Sequence, residues 1–272
     1  YTLSYEGTGT VSIGGLGEIL DDTRVVENGI TLASVQVSEP SGEALLHLRI
    51  SDVDPDDPIR NLRLIAPGYE ASTDQVFREE FTRRLAPFSA IRFMDWADTN
   101  NSGALDWADR RLPTDSIQTT GFGDNSQGGV AWELMIQLAN DAGADAWINV
   151  PHQADDNYIR ELAKLWRDNL NPDLKLIVEY SNEPWNTMFD QSKDGQADYY
   201  DVVGPRVLNI SSIFREEFAE TGRELEIVLA GQSANEYHVN RAIQYIMEQG
   251  FQPDTVIDAI AIAPYFHADA DT

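Results

Sequence analysis

The sequence predicts an α/β protein: an incomplete TIM (β/α)8 barrel of about six β/α units over residues 58–272, preceded by a small β-sheet or sandwich subdomain over residues 1–57. Three observations predict it. The chain changes rhythm at the acidic, proline-bearing segment Asp52-Val53-Asp54-Pro55-Asp56-Asp57-Pro58. Beyond that segment, short apolar runs alternate with amphipathic stretches. Polar and aromatic residues (Arg92, His152, Asn182, Glu183, Tyr265) stand just past the ends of those runs.

Before the boundary, Tyr1–Tyr5, Ile30–Val35 and Ala44–Ile50 are short alternating runs separated by Gly, Asn-Gly and Pro-Ser-Gly turn signals, the pattern of antiparallel strands. After it, the strand candidates are Leu62 to Ala66, Ala90 to Met94, Ala146 to Val150, Leu176 to Tyr180, Glu226 to Ala230 and Ile257 to Ala263. Helical periodicity fills residues 129–142, 155–170 and 238–249. In the second of these Ile159, Leu162, Ala163, Trp166 and Leu170 form one stripe, and Asp155 or Asp156 is placed to cap it. A doubly wound nucleotide-binding sheet needs a glycine-rich turn after its first strand, and Pro67-Gly68-Tyr69-Glu70 does not supply one. Side chains clustered at strand ends instead match the catalytic face of a barrel.

With 46 acidic and 19 basic residues the net charge is −27, which argues against a nucleic-acid partner because phosphate binding needs clustered cations. Only three residues are lysine (Lys164, Lys175, Lys193), a balance that suits either a protein kept soluble in salt, where screening shortens repulsion to about 3 Å at 1 M, or an ordinary acidic bacterial surface. There is no cysteine, which excludes disulfides, thiolate catalysis and Cys-ligated zinc. No run approaches the length of a membrane span. The chain starts at Tyr1 without a signal peptide and stops just after a strand-like run, so both ends read as cut.

The chemistry concentrates in Leu176-Ile177-Val178-Glu179-Tyr180-Ser181-Asn182-Glu183-Pro184-Trp185-Asn186, an apolar strand running into Asn-Glu-Pro-Trp. A carboxyl at a strand end, beside an amide and an indole, suits a general acid. Asn182 is placed to donate to a sugar 2-hydroxyl, and Trp185 offers a stacking face, as do Trp96 and Trp107. Trp132, Trp147 and Trp166 fall on core faces and read as packing. Glu179 is expected to point away from Asn182 by strand alternation and to pair with Arg92 in a structural role. His47, His238 and Glu236 read as surface residues, and His267 as a weaker site candidate.

Asn-Glu-Pro after a fourth barrel strand resembles the acid/base motif of the clan of retaining glycoside hydrolases built on the (β/α)8 barrel, which includes cellulases, mannanases and arabinofuranosidases. The resemblance covers residues 58–268 and looks like a poorly characterised bacterial branch. It implies Glu183 as acid/base, Arg92 as the arginine after strand two, His152 after strand three and Tyr265 as the strand-six tyrosine that touches the nucleophile. The clan's nucleophilic Glu follows strand seven, whereas the chain stops nine residues after Ala263, so the resemblance places the nucleophile beyond Thr272 and implies that this chain alone is inactive. Asp269 and Asp271 do not substitute for it convincingly. The implied substrate is a β-linked polysaccharide or oligosaccharide met outside the cell or at its surface, with no organic cofactor. The alternative is a non-catalytic carbohydrate-binding or adhesion domain on the same scaffold.

One further segment carries the ligand pattern of a calcium loop. Asp98, Asn100, Ser102, Asp106 and Asp109 occupy positions 1, 3, 5, 9 and 12 of an EF-hand-like spacing, with Gly103 at position 6, although position 12 is Asp rather than the bidentate Glu. The competing reading is a polar substrate loop in which Thr99, Asn100 and Asn101 reach sugar hydroxyls.

Overall fold

The computed structural model describes residues 1–272 except 39–44, 70–74, 116, 120–128, 193–199, 234 and 263–272. The chain forms two compact units, Tyr1–Val76 and Phe77–Thr272.

The first unit contains β1 (Thr2–Glu6), β2 (Thr10–Gly15), β3 (Gly17–Glu27), β4 (Ile30–Val37), β5 (Leu46–Ser51) and β6 (Arg60–Ile65). Alternation puts Leu3, Tyr5, Val11, Ala33 and Val35 into a small core. The Asn28-Gly29 pair turns β3 into β4 with both residues at positive φ (52° and 79°), a backbone that an Asn-Gly pair adopts readily. The four-stranded antiparallel sheet has the order β3-β4-β1-β6, and β2 pairs with β5.

The run Leu62 to Ala66, expected as the opening strand of the barrel, instead pairs antiparallel with β1, Leu3 opposite Leu64. A short apolar run carries no information about strand direction. β1 has an edge left open by β4, and Leu62 and Leu64 pack onto the small core. The division between units accordingly lies at 76/77, nineteen residues past the boundary read from the acidic segment.

The second unit runs α1 (Glu79–Leu85), β7 (Ala90–Arg92), α2 (Trp132–Ala142), β8 (Asp145–Val150), α3 (Asp156–Asn169), β9 (Leu176–Tyr180), α4 (Tyr200–Phe218), β10 (Leu225–Ala230), α5 (Tyr237–Glu248) and β11 (Ala259–Ala261). The strands form one parallel sheet in the order β11-β10-β9-β8-β7, so each β/α unit lays its strand beside the previous one. The predicted six-unit barrel is therefore not what forms among the described residues: the sheet is a curled half-barrel of five strands.

The local signals behind these elements act as expected. Asp155 caps α3, its carboxylate accepting the Tyr158 N–H at 2.6 Å. Gly143 ends α2 in the left-handed conformation (φ 65°). The α3 stripe Ile159, Leu162, Ala163 and Trp166 is fully buried and meets Ala146, Ile148, Val150, Leu176 and Val178 from the sheet. Strand alternation thus assigns one face of β8 and β9 to the helices and leaves Trp147, Asn149 and Glu179 on the other.

Trp166 sits at the centre of the helix-side core with no exposed surface, its ring 6.2 Å from Phe93 and 6.4 Å from Trp132. Truncation there leaves a large cavity, so Trp166→Ala is expected to lower the unfolding free energy by about 3–5 kcal/mol in denaturant titration.

Candidate functional site

Strand register builds the site. Arg92 lies opposite Trp147, and Asn149 opposite Glu179, all on the face away from the helices. At their C-terminal ends these strands open into a cavity of about 530 Å³, lined by Arg92, Met94, Asn100, Trp147, Glu179, Asn182, Glu183, Trp185, Phe189, Ala261 and Ile262. That volume suits a small-molecule or oligomer site.

Glu179 forms its floor. Its Oε2 accepts from Arg92 Nη2 (2.8 Å) and Nε (3.2 Å), Trp147 Nε1 (2.9 Å) and Asn149 Nδ2 (2.9 Å). The Arg92 guanidinium also stands 5.3 Å from the centre of the Trp147 ring, a cation–π distance. Burial pushes the Glu179 carboxyl above the ordinary glutamate range, and the charge and hydrogen bonds of Arg92 and the hydrogen bonds of Asn149 and Trp147 oppose that shift only in part. The expected pairing of Glu179 with Arg92 is present.

The expected divergence of Glu179 and Asn182 is not. Both line the cavity, and Arg92 Nη2 donates to Asn182 Oδ1 as well, at 3.1 Å. Alternation stops where the strand does: Ser181 takes a left-handed φ of 53°, which turns Asn182 back to the face of Glu179, and Glu183 follows with a φ of 39°. Glu183 lines the same cavity, with its Oε2 accepting from Asn186 Nδ2 at 3.0 Å.

The other predicted residues divide. Trp185 lines the cavity, its ring 5.9 Å from that of His238. His238, expected at the surface, is instead buried, and that burial holds its pKa below the usual histidine range. Asn100 lines the cavity, whereas the exposed Asn101 pins the turn at Asp190, its Oδ1 accepting the Asp190 N–H at 2.8 Å. His152 is buried just past β8 but is not among the described lining residues. Its position shares the parity of Ala146, Ile148 and Val150, which face the helices. Trp96 packs among Phe77, Phe81 and Phe93 with ring centres 6.1–6.4 Å away and is not among the described lining residues. Trp107 is likewise occupied, edge-on to Tyr158 at 5.1 Å with Arg110 over its ring at 4.1 Å. Glu236 is exposed at the start of α5. Tyr265, His267, Asp269 and Asp271 lie outside the described residues.

Two side chains of the EF-hand-like segment are engaged with neighbouring residues. Asn100 Oδ1 accepts from Asn182 Nδ2 (3.1 Å) and Gln191 Nε2 (2.7 Å), and the buried Ser102 Oγ accepts the Ala104 N–H at 3.4 Å. Among the described residues no three His, Asp or Glu side chains gather to hold a metal. Asp98 and Asn101 instead take left-handed φ values of 50° and 61°, which Asp and Asn tolerate better than most residues.

The site residues not anticipated include Trp147 and Gln191. Trp147, read as packing, forms the cavity floor with Glu179; continuing the alternation along β8 from the buried Ala146 and Ile148 identifies its face. Gln191, the buried residue of a short helical turn at Asp190–Ser192, has no sequence signal that marks it. No known family model, curated protein or solved structure matches the chain.

The raised pKa of Glu179 has a measurable consequence. A folded-state value above the unfolded 4.5 means that its contribution to stability is fully present below pH 4.5 and is lost as pH rises through the folded value. The stability of the wild type relative to Glu179→Gln should therefore fall as pH rises above 4.5. Denaturant titrations of both proteins across pH check this, and a pH-independent difference would contradict it.

Proposed function

We propose that the cavity binds a β-linked polysaccharide or oligosaccharide and that the protein is a glycoside hydrolase with Glu183 as its acid/base. The observation that supports this reading is the gathering of a carboxyl (Glu183), a fixed amide (Asn182), a guanidinium (Arg92) and two indoles (Trp147, Trp185) around one cavity at the ends of parallel strands. Sugars present apolar ring faces that indoles cover and hydroxyls that amides and charged groups bind. Glu183 gives its proton to the leaving glycosidic oxygen as the C–O bond breaks, then takes one from the attacking water. Asn182 keeps one of its two amide hydrogens for the 2-hydroxyl, the other being donated to Asn100. Arg92, partly neutralised by Glu179, orients hydroxyls. A net charge of −27 disfavours anionic glycans, so the substrate class is neutral. A polymer of that kind is met outside the cell or at its surface.

A retaining mechanism also needs a nucleophilic carboxylate about 5–5.5 Å from the acid/base. One oxygen of Glu179 is committed to four donors, so the proposal assigns the nucleophile to chain outside the described residues. The same commitment favours a second reading, in which the cavity recognises a sugar without cleaving it.

Wild type and Glu183→Gln, assayed on a panel of neutral polysaccharides with the protein as its source makes it, separate the two. The hydrolase reading expects the variant to lose about 100- to 10,000-fold in product release with oligosaccharide binding retained. Equal release from both proteins removes Glu183 from its role, and binding without release by the wild type selects the second reading.

A further inference from the structure

Four polar side chains, three lining the cavity (Arg92, Asn182, Asn100) and one behind it (Gln191), form a chain whose polarity is set from both ends. At one end Arg92 can only donate, so the atom of Asn182 facing it at 3.1 Å is Oδ1, which turns Nδ2 toward Asn100. At the other end the backbone N–H of Asn101 can only donate, so the atom of Gln191 facing it at 3.0 Å is Oε1. Gln191 Nε2 is thereby turned inward, 2.7 Å from Asn100 Oδ1 and 2.7 Å from the carbonyl oxygen of Asn182. The two chains of donors meet on one oxygen, Asn100 Oδ1. Its own Nδ2 lies 3.8 Å from the Met94 sulfur, and Asn100 and Met94 both line the cavity. A thioether is a weak acceptor, so this N–H group keeps its capacity for a stronger partner. Gln191 itself is 3% exposed and is not among the lining residues.

We propose that Gln191 is a positioning residue for ligand binding: it locks the Asn100 amide with the oxygen inward and the NH2 toward the cavity, and it holds the Asn182 backbone from behind. Without it Asn100 Oδ1 accepts one hydrogen bond instead of two, and the Asn182 carbonyl loses the Gln191 donor. The identity of the ligand as a neutral sugar rests on the function proposed above; the orienting role does not.

The test compares the wild type with Gln191→Met, which keeps an unbranched side chain of similar length but has no N–H, and with Asn100→Ala and the double variant. Two readouts are taken: binding of cellohexaose, mannohexaose and xylohexaose by calorimetry, and hydrogen exchange of the Asn182 side-chain amide in the unliganded protein by NMR. Positioning through Asn100 expects Gln191→Met to bind its preferred hexaose about tenfold more weakly, with no further loss when it is added to Asn100→Ala, and to exchange the Asn182 amide faster. A packing role expects binding within twofold of wild type, or losses that add in the double variant, and either result overturns the proposal. If no hexaose binds the wild type, the sugar reading fails while amide exchange still decides the role of Gln191: unchanged exchange in Gln191→Met overturns it. Should Gln191→Met not fold, Gln191→Asn, which keeps the amide but shortens its reach by one methylene, reads the same quantities.

Discussion

A carboxylate taken out of water must be surrounded by donors, and the second unit is organised around that requirement at Glu179. Its donors come from two neighbouring strands, Arg92 from β7 and Trp147 and Asn149 from β8, so one oxygen ties together the ends of three strands. Those ends are where a parallel sheet has no further ladder partners and where its loops diverge. The Arg92 guanidinium, held in place, passes the order outward to Asn182 and from there to Asn100. Cavity shape and cavity polarity therefore share one origin. A group that is partly satisfied in such a network is worse placed than one in water, which makes the arrangement close to all-or-none.

How much of this was legible in the sequence follows from what each signal encodes. The parallel strands and the helices α2, α3 and α5 were visible because amphipathic periodicity reports burial directly, and Asp155 was visible as a cap because its chemistry is local. The run at Leu62–Ala66 misled because apolarity says that a strand is buried, not which neighbour it joins or in which direction; the open edge of β1 decided that. Glu183, Asn182, Arg92, Asn100 and Trp185 were found because strand ends concentrate polar residues. His152 and Trp96 are not among the described lining residues, because being near a strand end does not fix which face a side chain takes. Gln191 was invisible for a plainer reason: its partners Asn100, Asn101 and Asn182 are distant in the chain or meaningful only once folded.

The loop from Asp98 to Asp109 shows how one residue pattern answers two demands. Oxygen-bearing side chains at alternate positions, with glycine in the middle, suit a cation because they turn tightly and offer acceptors. The same short side chains also bond to nearby backbone and tolerate left-handed φ, so they build a tight loop with no cation involved. Here Asn100 spends its oxygen on two amides and Ser102 on the backbone of Ala104.

The turn that carries Glu183 holds two non-glycine residues, Ser181 and Glu183, in the left-handed region within three positions. Each such residue costs about 1–3 kcal/mol that the surroundings must offset. The Ser181 N–H is held by the Val150 carbonyl at 3.0 Å, and Asn149 donates to the Ser181 carbonyl. The molecule thus keeps a wound spring beneath its acidic side chain. Selection for heat tolerance alone would favour glycine at 181, relaxing the coil and letting the carboxyl drift, so robustness and aim pull this position in opposite directions.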